Sequence, residues 1–266
     1  MEQVDSDLRA RRVLGRTGLE VSRIGLAGGY KIPAGAVEKA IAEYGINYFY
    51  WETRKPGMGA ALRSLSVRDR QSIVIAVQTY DHIGFWLRGS VEKALRELAI
   101  DHVDILLLGW FNRMPAKRVL DATARLKDEG KISFLGVTGH NRKFHGMLAH
   151  QPDSPIDVLQ IRYSAAHRGA EDEVFKGLFK NRPGITTYTA TRWGKLLKAN
   201  KMPPGEKPLT AAECYRFVLS HPAVDVCLAG PRTEQEMDEG LLALDAGPLS
   251  GEEMERIRRI GEHVHG

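Results

Sequence analysis

Residues that can hold or move a proton follow several apolar runs of this chain. Polar and aromatic residues stand at the ends of four such runs or within two residues after them: Tyr50, Trp51, Glu52, Trp110, His140 and Arg162. Tyrosine, glutamate and histidine act as general acids or bases when their surroundings adjust the pKa, and arginine binds anions. If the runs are parallel strands, their carboxyl ends meet at one mouth. The spacing therefore predicts a ligand-binding site there.

One of these runs ends in a residue that has no side chain. Val103–Leu108 is apolar apart from Asp104 and is followed by Gly109 and then Trp110. In a barrel enzyme the end of such a strand is a usual place for a catalytic residue. Gly109 therefore predicts that any reaction at this mouth depends on side chains from other strands.

Three common kinds of site are not indicated by the sequence. Cys214 and Cys227 lie in apolar segments and have the spacing of neither a zinc site nor a redox dithiol. The histidines are scattered, and His263 and His265 fall at the chain end, so we expect no metal site. The two glycines that flank Met58 lack the third glycine of a dinucleotide loop, and no P-loop sequence occurs. A nucleotide would have to bind through barrel loops.

Strand and helix patterns alternate along the chain. Apolar runs that predict strands lie at Ile24–Ala27, Ile46–Tyr50, Ile73–Gln78, Val103–Leu108, Phe134–Thr138, Val158–Ile161, Ile185–Tyr188 and Val224–Leu228. Helical spacing is found at Val91–Leu98, Pro115–Glu129, Ala170–Asn181 and Ala211–Leu219. Continuous apolar strands that alternate with amphipathic helices are typical of a parallel sheet covered on both faces. Eight such units predict an α/β fold of the (β/α)8 TIM barrel type.

Turn and capping signals define the ends of this barrel. Residues 12–14 and 19–22 flank a turn with two glycines, which predicts an N-terminal β-hairpin at the barrel bottom. Capping-box spacing occurs at Thr210, Thr233 and Ser250, and the last predicts an extra C-terminal helix, Ser250–His263. The lysine-rich segment Arg192–Pro208 is the longest irregular stretch; it is either a phosphate clamp or lid, or a solvated connection.

Composition narrows the class of protein. With 266 residues, 43% of them hydrophobic, residues 1–266 are expected to form a single barrel domain. The net charge of +5 is spread along the chain, so we expect no nucleic-acid partner. The N-terminal residues lack the apolar stretch of a signal peptide, and no run reaches the roughly 20 apolar residues of a membrane span. We expect a cytoplasmic protein without a membrane partner; the sequence indicates no oligomeric state.

Seven ordered segments resemble one enzyme family over almost the whole chain. They are RRVLGRTGLEVSRIGLAGG, GINYFYWET, VDILLLGW, KISFLGVTGH, DVLQIRY, ITTYTAT and CLAGPRTEQEMDEGL. Together they resemble the aldo-keto reductases from about Arg12 to about Ala246. The resemblance implies a (β/α)8 barrel with an NADP(H) site at its carboxyl-terminal face and hydride transfer to a carbonyl.

The resemblance also implies a catalytic tetrad of aspartate, tyrosine, lysine and histidine, and this sequence departs from it at each position. Tyr50 replaces the aspartate, Lys55 stands where the tyrosine is expected, Gln78 replaces the lysine and Gly109 replaces the histidine. Loss of a general acid alone lowers rates by about 10²–10⁴-fold. Two replacements for the acid are open: Tyr50 with its pKa lowered by Lys55, or His140.

The cofactor positions are closer to the family pattern. The resemblance assigns the nicotinamide carboxamide to Gln160, ring stacking to Tyr188, the diphosphate side to Thr189, the 2′-phosphate to Arg232 and the adenine side to Glu239. It also matches Thr138 to a serine of the family's cofactor site. Gly139 and Gly240 replace two usual asparagines. The expected cofactor is therefore NADPH in preference to NADH.

Three functions remain open from the sequence. The first is an NADP(H)-binding oxidoreductase that acts on a small carbonyl compound with a non-standard proton donor. The second is a non-redox enzyme, a lyase or isomerase, on the same barrel. The third is a catalytically silent protein that binds NADPH or a metabolite and regulates another process.

Overall fold

Eight parallel strands close into a barrel in the computed structural model, which describes residues 7–28, 32–52, 57–64 and 70–265. The strands are β1 (Ile24–Ala27), β2 (Tyr48–Glu52), β3 (Val74–Thr79), β4 (Val103–Leu108), β5 (Ile132–Thr138), β6 (Val158–Arg162), β7 (Gly184–Tyr188) and β8 (Val226–Ala229). Each strand pairs with its neighbour in sequence, and β8 pairs with β1. The predicted (β/α)8 barrel is confirmed.

Side-chain alternation along the strands separates two apolar layers. Tyr48 and Tyr50 on β2 pack with the barrel interior, whereas Phe49 and Trp51 pack against the surrounding shell. The same period of two runs through the other strands because successive side chains point to opposite faces. It sends every second residue near a strand's carboxyl end into the barrel mouth.

Helices cover the outside of the barrel. Their bounds are α1 (Ala34–Tyr44), α2 (Gly57–Ser64), α3 (Gly84–Leu98), α4 (Lys117–Asp128), α5 (Arg142–Ala149), α6 (Ala211–Leu219), α7 (Glu234–Leu241), α8 (Ala243–Ala246) and α9 (Gly251–His265). The start of α6 has both hydrogen bonds of a capping box between Thr210 and Glu213. Ser250 and Glu253 make the same reciprocal pair before α9, at the predicted C-terminal helix.

One predicted helix is wrong. The segment Ala170–Asn181 contains only a short π-helical turn, Glu171–Phe175. Lys176 is extended, and Gly177 adopts a left-handed φ of 76° that ends the turn. Phe175 is buried with its ring edge-on to Tyr163, at 5.2 Å between centroids. Tertiary packing of this apolar residue therefore replaces the helical hydrogen bonding that the spacing predicts.

The N-terminal hairpin lies at the end of the barrel opposite the mouth. Its strands, Arg12–Val13 and Glu20–Val21, pair antiparallel as predicted. Leu14 is fully buried in the interior cluster and sits against Gly184, the first residue of β7. No helix within the described ranges is long and apolar enough to cross a membrane.

Candidate active site

A cavity of about 1050 Å³ opens at the carboxyl ends of the strands. Its size lies at the upper end of the usual range for small-molecule sites. Eight predicted site residues line it: Tyr50, Thr138, His140, Gln160, Tyr188, Thr189, Arg232 and Glu239. The ninth, Lys55, lies outside the described residues. The structure thus brings together four strand ends, the loops after β5, β7 and β8, and helix α7, from residues spread over almost 200 positions of sequence.

Tyr50 and Gln78 form a hydrogen-bonded pair at the mouth end of the cavity. Tyr50 points inward from β2 and donates its Oη proton to Gln78 Oε1 at 2.7 Å on β3. Burial, and then the nearby Glu52 charge, hold the pKa of Tyr50 well above its ordinary value. This shift is opposite in direction to the one a neighbouring ammonium would cause. Tyr50 is consequently neutral and keeps its proton at physiological pH.

Tyr80 fills the space that a side chain at position 109 would need. A Cβ at Gly109 would lie 2.7 Å from both Tyr80 Cδ1 and Gln78 Nε2. The Tyr80 ring lies 4.7 Å from the Trp110 ring, and its hydroxyl donates to Glu52 Oε2 at 3.4 Å. Tyr80 also lines the cavity. The mouth therefore carries two phenols, one of which sequence reasoning missed.

The alternation of inward-facing side chains along β3 is the sequence signal that identifies Tyr80. Ala76 and Gln78 face the barrel interior from β3, and the same period continued past the strand end reaches Tyr80. The predicted strand Ile73–Gln78 ends one inward-facing position short of Tyr80.

Asn112 occupies a similar place beside Gly139. A Cβ at Gly139 would lie 2.8 Å from Asn112 Oδ1 and would also meet the Phe111 carbonyl oxygen. The same Oδ1 accepts hydrogen bonds from the backbone N–H groups of His140 at 2.7 Å and Asn141 at 2.8 Å. These bonds fix the turn after β5, where the exposed His140 side chain lines the cavity.

Gln160 and Thr138 lie side by side at the centre of the cavity. They are register partners on β5 and β6, and both are buried. Gln160 Oε1 has no hydrogen-bond partner within the part of the chain that the structure describes. A buried amide oxygen without a partner is destabilising by about 1–3 kcal/mol. This orphaned acceptor in a cavity fits an amide-bearing ligand such as a nicotinamide carboxamide.

The aromatic ring of Tyr188 and the hydroxyl of Thr189 come next along the cavity. Tyr188 is half-buried against the barrel interior and lines the cavity at the end of β7. Thr189 has a left-handed φ of 63°, and its hydroxyl donates to the Tyr188 carbonyl at 2.6 Å. Backbone strain of this kind costs about 1–3 kcal/mol and concentrates at ligand sites.

The loop that follows β7 covers one side of the cavity. Trp193, Gly194, Leu197 and Lys198 line it. Arg192 and Trp193 both have left-handed φ angles, of 50° and 52°. Of the two alternatives for residues 192–208, this placement favours a clamp or lid over a solvated connection.

The far end of the cavity is formed by the start of α7. Thr233 caps this helix by accepting from Glu236 N, and the backbone N–H of Arg232 donates to Glu236 Oε2 at 2.8 Å. The Arg232 side chain is exposed, while Glu239 accepts from Gln235 at 2.9 Å. A cation and helix N–H groups together favour an anion here.

Gly240, one turn further along α7, is packed against an aromatic ring. A Cβ there would lie 2.8 Å from Tyr215 Cε2, and Tyr215 itself lines the cavity. The Tyr215 ring therefore takes the room that a side chain at position 240 would need.

Comparisons with known proteins agree with one another. A family model described as the aldo/keto reductase family matches residues 35–213. L-galactose dehydrogenase from Arabidopsis thaliana is 28% identical, over 94% of this chain and 92% of that protein. Two solved structures of aldo-keto reductase AKR11C1 from Bacillus halodurans, holo and apo, have TM-scores of 0.75 and 0.74 at 20% identity. They cover 94% of this chain and 96% and 95% of those chains, and at this identity they show a common fold.

Proposed function

This chain belongs to the aldo/keto reductase family, and on that premise we propose that it is an oxidoreductase that binds NADP(H) and acts on a small carbonyl compound. The observation that carries the proposal is that eight described candidate residues line one cavity. In support, Gln160 Oε1 is buried and has no partner among the described residues, and the N–H of a carboxamide would satisfy it.

The cofactor lies along the cavity from Gln160 to Arg232 in this proposal. Gln160 and Thr138 bind the carboxamide, and Tyr188 stacks on the ring, because face contact buries apolar area and suits the ring quadrupole. Thr189 lies beside the diphosphate. Arg232 binds the 2′-phosphate and Glu239 the adenine side, so NADPH is preferred to NADH.

The proton step belongs to the mouth end. When bound, NADPH supplies the hydride. Tyr50 holds a proton at its Oη, and its raised pKa keeps that proton in place up to high pH. In the proposed division of roles Tyr50 is the donor and Gln78 Oε1 orients its hydroxyl. Lys55, the cation that the sequence predicts to lower this pKa, lies outside the described residues. His140 and Tyr80 are the other proton donors that line the same mouth.

A binding protein without catalysis is the second candidate, because the proton of Tyr50 is already engaged by Gln78. In that case the replacement of the family tetrad has removed the catalytic activity, and the cavity binds a ligand without turnover. A lyase or isomerase is the third, and it predicts turnover that does not consume the cofactor.

A fluorescence titration with NADPH and NADH tests the proposal first. We expect saturable binding of NADPH and weaker binding of NADH. Absence of binding at high micromolar NADPH would contradict both the oxidoreductase and the NADPH-binding protein.

A panel of carbonyl compounds, assayed by loss of nicotinamide absorbance, separates the remaining functions. Because one relative is named for L-galactose, hydroxylated aldehydes and sugars belong in the first panel. Cofactor binding without consumption on any compound supports the binding protein. Product formation without consumption supports the lyase or isomerase.

A further inference from the structure

Large apolar side chains are exposed where α3 begins. The exposed fraction is 42% for Ile83, 83% for Phe85 and 59% for Trp86. Met114, in the loop before α4, is 36% exposed. These four residues are not among the described residues that line the cavity. A single exposed apolar side chain needs no explanation, whereas a cluster of them marks an interaction surface.

Backbone packing joins the start of α3 to the start of α4. A Cβ at Gly84 would lie 3.0 Å from the Arg118 carbonyl oxygen, so the first turns of the two helices are in contact. The loops before these helices also meet, because the rings of His82 and Phe111 are 4.3 Å apart between centroids. The exposed apolar side chains of both loops therefore lie on one surface.

The loop after β5 and the start of α5 continue this surface. Asn112 Oδ1 accepts hydrogen bonds from the backbone N–H groups of His140 and Asn141, which joins the loop after β4 to the loop after β5. On α5, Met147 is 51% exposed and lies one turn after the exposed Lys143. We call the exposed side chains of the three segments the rim patch. Its apolar members are Ile83, Phe85, Trp86, Met114 and Met147.

The charges on the rim patch are almost all positive. Residues 80–91, 109–120 and 139–152 contain six lysines or arginines and one acidic residue, Asp81. Asp81 is half-buried and already accepts hydrogen bonds from two hydroxyl groups. Three of the cations are exposed and take part in no ion pair within the described ranges: Arg113, Arg118 and Lys143.

This charge determines which kind of partner fits. Two copies of the chain that met through the rim patch would bring their unpaired cations together, and like charges repel. Phe85 and Trp86 are too exposed to line a groove, so they suit a soft apolar layer. Aromatic rings flanked by lysine and arginine are typical of proteins that lie on a membrane, where the rings enter the headgroup region and the cations attract anionic lipids.

We propose that the rim patch binds the surface of an anionic membrane, with Phe85 and Trp86 in the headgroup region and the three unpaired cations beside the anionic headgroups. The contact is peripheral and needs no spanning helix. It differs from the sequence-based expectation of no membrane partner, because only the fold brings the three segments together. It does not depend on the reaction in the cavity.

Cosedimentation of the protein with vesicles tests this contact. We expect binding to vesicles that mix phosphatidylserine with phosphatidylcholine, and much weaker binding to phosphatidylcholine alone. Phe85→Ala and Trp86→Ala should each lower the partition coefficient about tenfold or more, because each removes an apolar ring from the membrane. Arg118→Gln should lower it about fivefold, the effect of one cation near an anionic surface. High salt should weaken the binding of the unchanged protein.

Two substitutions at the opposite end of the barrel are matched controls. Val13→Ala shortens a side chain of the N-terminal hairpin that is 49% exposed. Arg11→Gln removes an exposed cation beside that hairpin. Neither should change the partition coefficient by more than about twofold, because this end of the molecule faces away from the membrane in the proposed contact. Melting temperatures close to that of the unchanged protein would confirm that all five variants are folded.

The rings are decisive in this experiment. Absence of binding to the phosphatidylserine vesicles would overturn the proposal, and so would unchanged binding of both Phe85→Ala and Trp86→Ala. Losses in the two controls as large as those in the rim patch would show adsorption through overall charge and would overturn it too. Self-association without lipid that Trp86→Ala abolishes, measured by sedimentation velocity, would assign the rim patch to a second copy of the chain instead.

Discussion

The two ends of the cavity differ in how their polar groups are satisfied. At the mouth, Tyr50 is hydrogen-bonded to Gln78 and Tyr80 to Glu52, so the groups that could move a proton engage one another. Toward the loops, the acceptor of Gln160 has no partner within the described residues. A ligand that bonds to a buried unpartnered group would stabilise it, whereas a satisfied network is stable without a ligand. The comparison therefore favours ligand binding over proton transfer as the proposed role of these polar groups.

The largest effect is expected from a change confined to the mouth end of the cavity. Tyr50→Phe removes the proposed donor, and turnover should fall about 10²–10⁴-fold. The NADPH affinity should stay within about twofold, because the variant keeps the ring and loses only a hydroxyl that bonds to Gln78. Steady-state kinetics and cofactor titration measure the two quantities separately.

The control for this variant is Tyr44→Phe, which removes a phenol hydroxyl that bonds Asp238 outside the cavity. The pH profile adds a second check. The donor must be protonated and its pKa is raised, so the rate should not decline as the pH approaches the ordinary tyrosine value of about 10. Unchanged turnover in Tyr50→Phe would transfer the role to His140 or Tyr80, or remove it.

The second effect concerns the packing that shapes the mouth. Gly109→Ala places a methyl group 2.7 Å from Tyr80 Cδ1, and the free energy of unfolding should fall by about 1–3 kcal/mol. In a Tyr80→Ala background the same change should have a much smaller effect, because the ring is gone and the remaining close atom, Gln78 Nε2, is the end of a flexible side chain that can move. Chemical denaturation of the four proteins gives the coupling energy.

Gly89→Ala is the matched control. Gly89 lies inside α3 with nothing within 4 Å of its Cβ position, so alanine there should stabilise the protein by up to about 1 kcal/mol. Equal losses from Gly109→Ala with and without the Tyr80 ring would mean that the ring does not determine the residue at position 109.

Local patterns in the sequence predict the barrel well because period and capping are properties of single segments. The predicted strand Ile24–Ala27 has the observed bounds, and the capping box at Thr210 forms as its spacing requires. The helix expected over 170–181 failed where the burial of Phe175 and a left-handed Gly177 outweigh helical spacing. Segment patterns do not contain those contacts.

The sequence predicts which strand ends line the cavity, but it does not predict which of the lining side chains contact one another. Three glycines show the reason: Gly109, Gly139 and Gly240 each leave room that residues distant in sequence fill, namely Tyr80 for Gly109, the Phe111 carbonyl and Asn112 for Gly139, and Tyr215 for Gly240. In the sequence alone, each of these glycines shows only that a side chain is missing. Only the folded structure shows which neighbouring group takes its place.

The third effect tests the cofactor end without touching the mouth. Tyr188→Ala removes the proposed stacking surface, and the NADPH Kd should rise roughly 10–30-fold from lost apolar contact and ring stacking. Tyr188→Phe is the matched variant: it keeps the ring and should bind NADPH within about twofold of the unchanged protein. Equal weakening in both variants would assign the effect to the hydroxyl and not to stacking.

The smallest effect separates NADPH from NADH at the far end of the same cavity. Arg232→Gln removes a cation at the start of α7, and the NADPH Kd should rise about 5–10-fold because one charged contact to the 2′-phosphate is lost at an exposed site. The NADH Kd should stay within about twofold, since NADH has no phosphate there. Parallel titrations with both cofactors isolate this contact from any change in the shape of the cavity, which would weaken the two alike. A uniform loss would therefore place the 2′-phosphate elsewhere and leave the capped start of α7 without a role in cofactor choice.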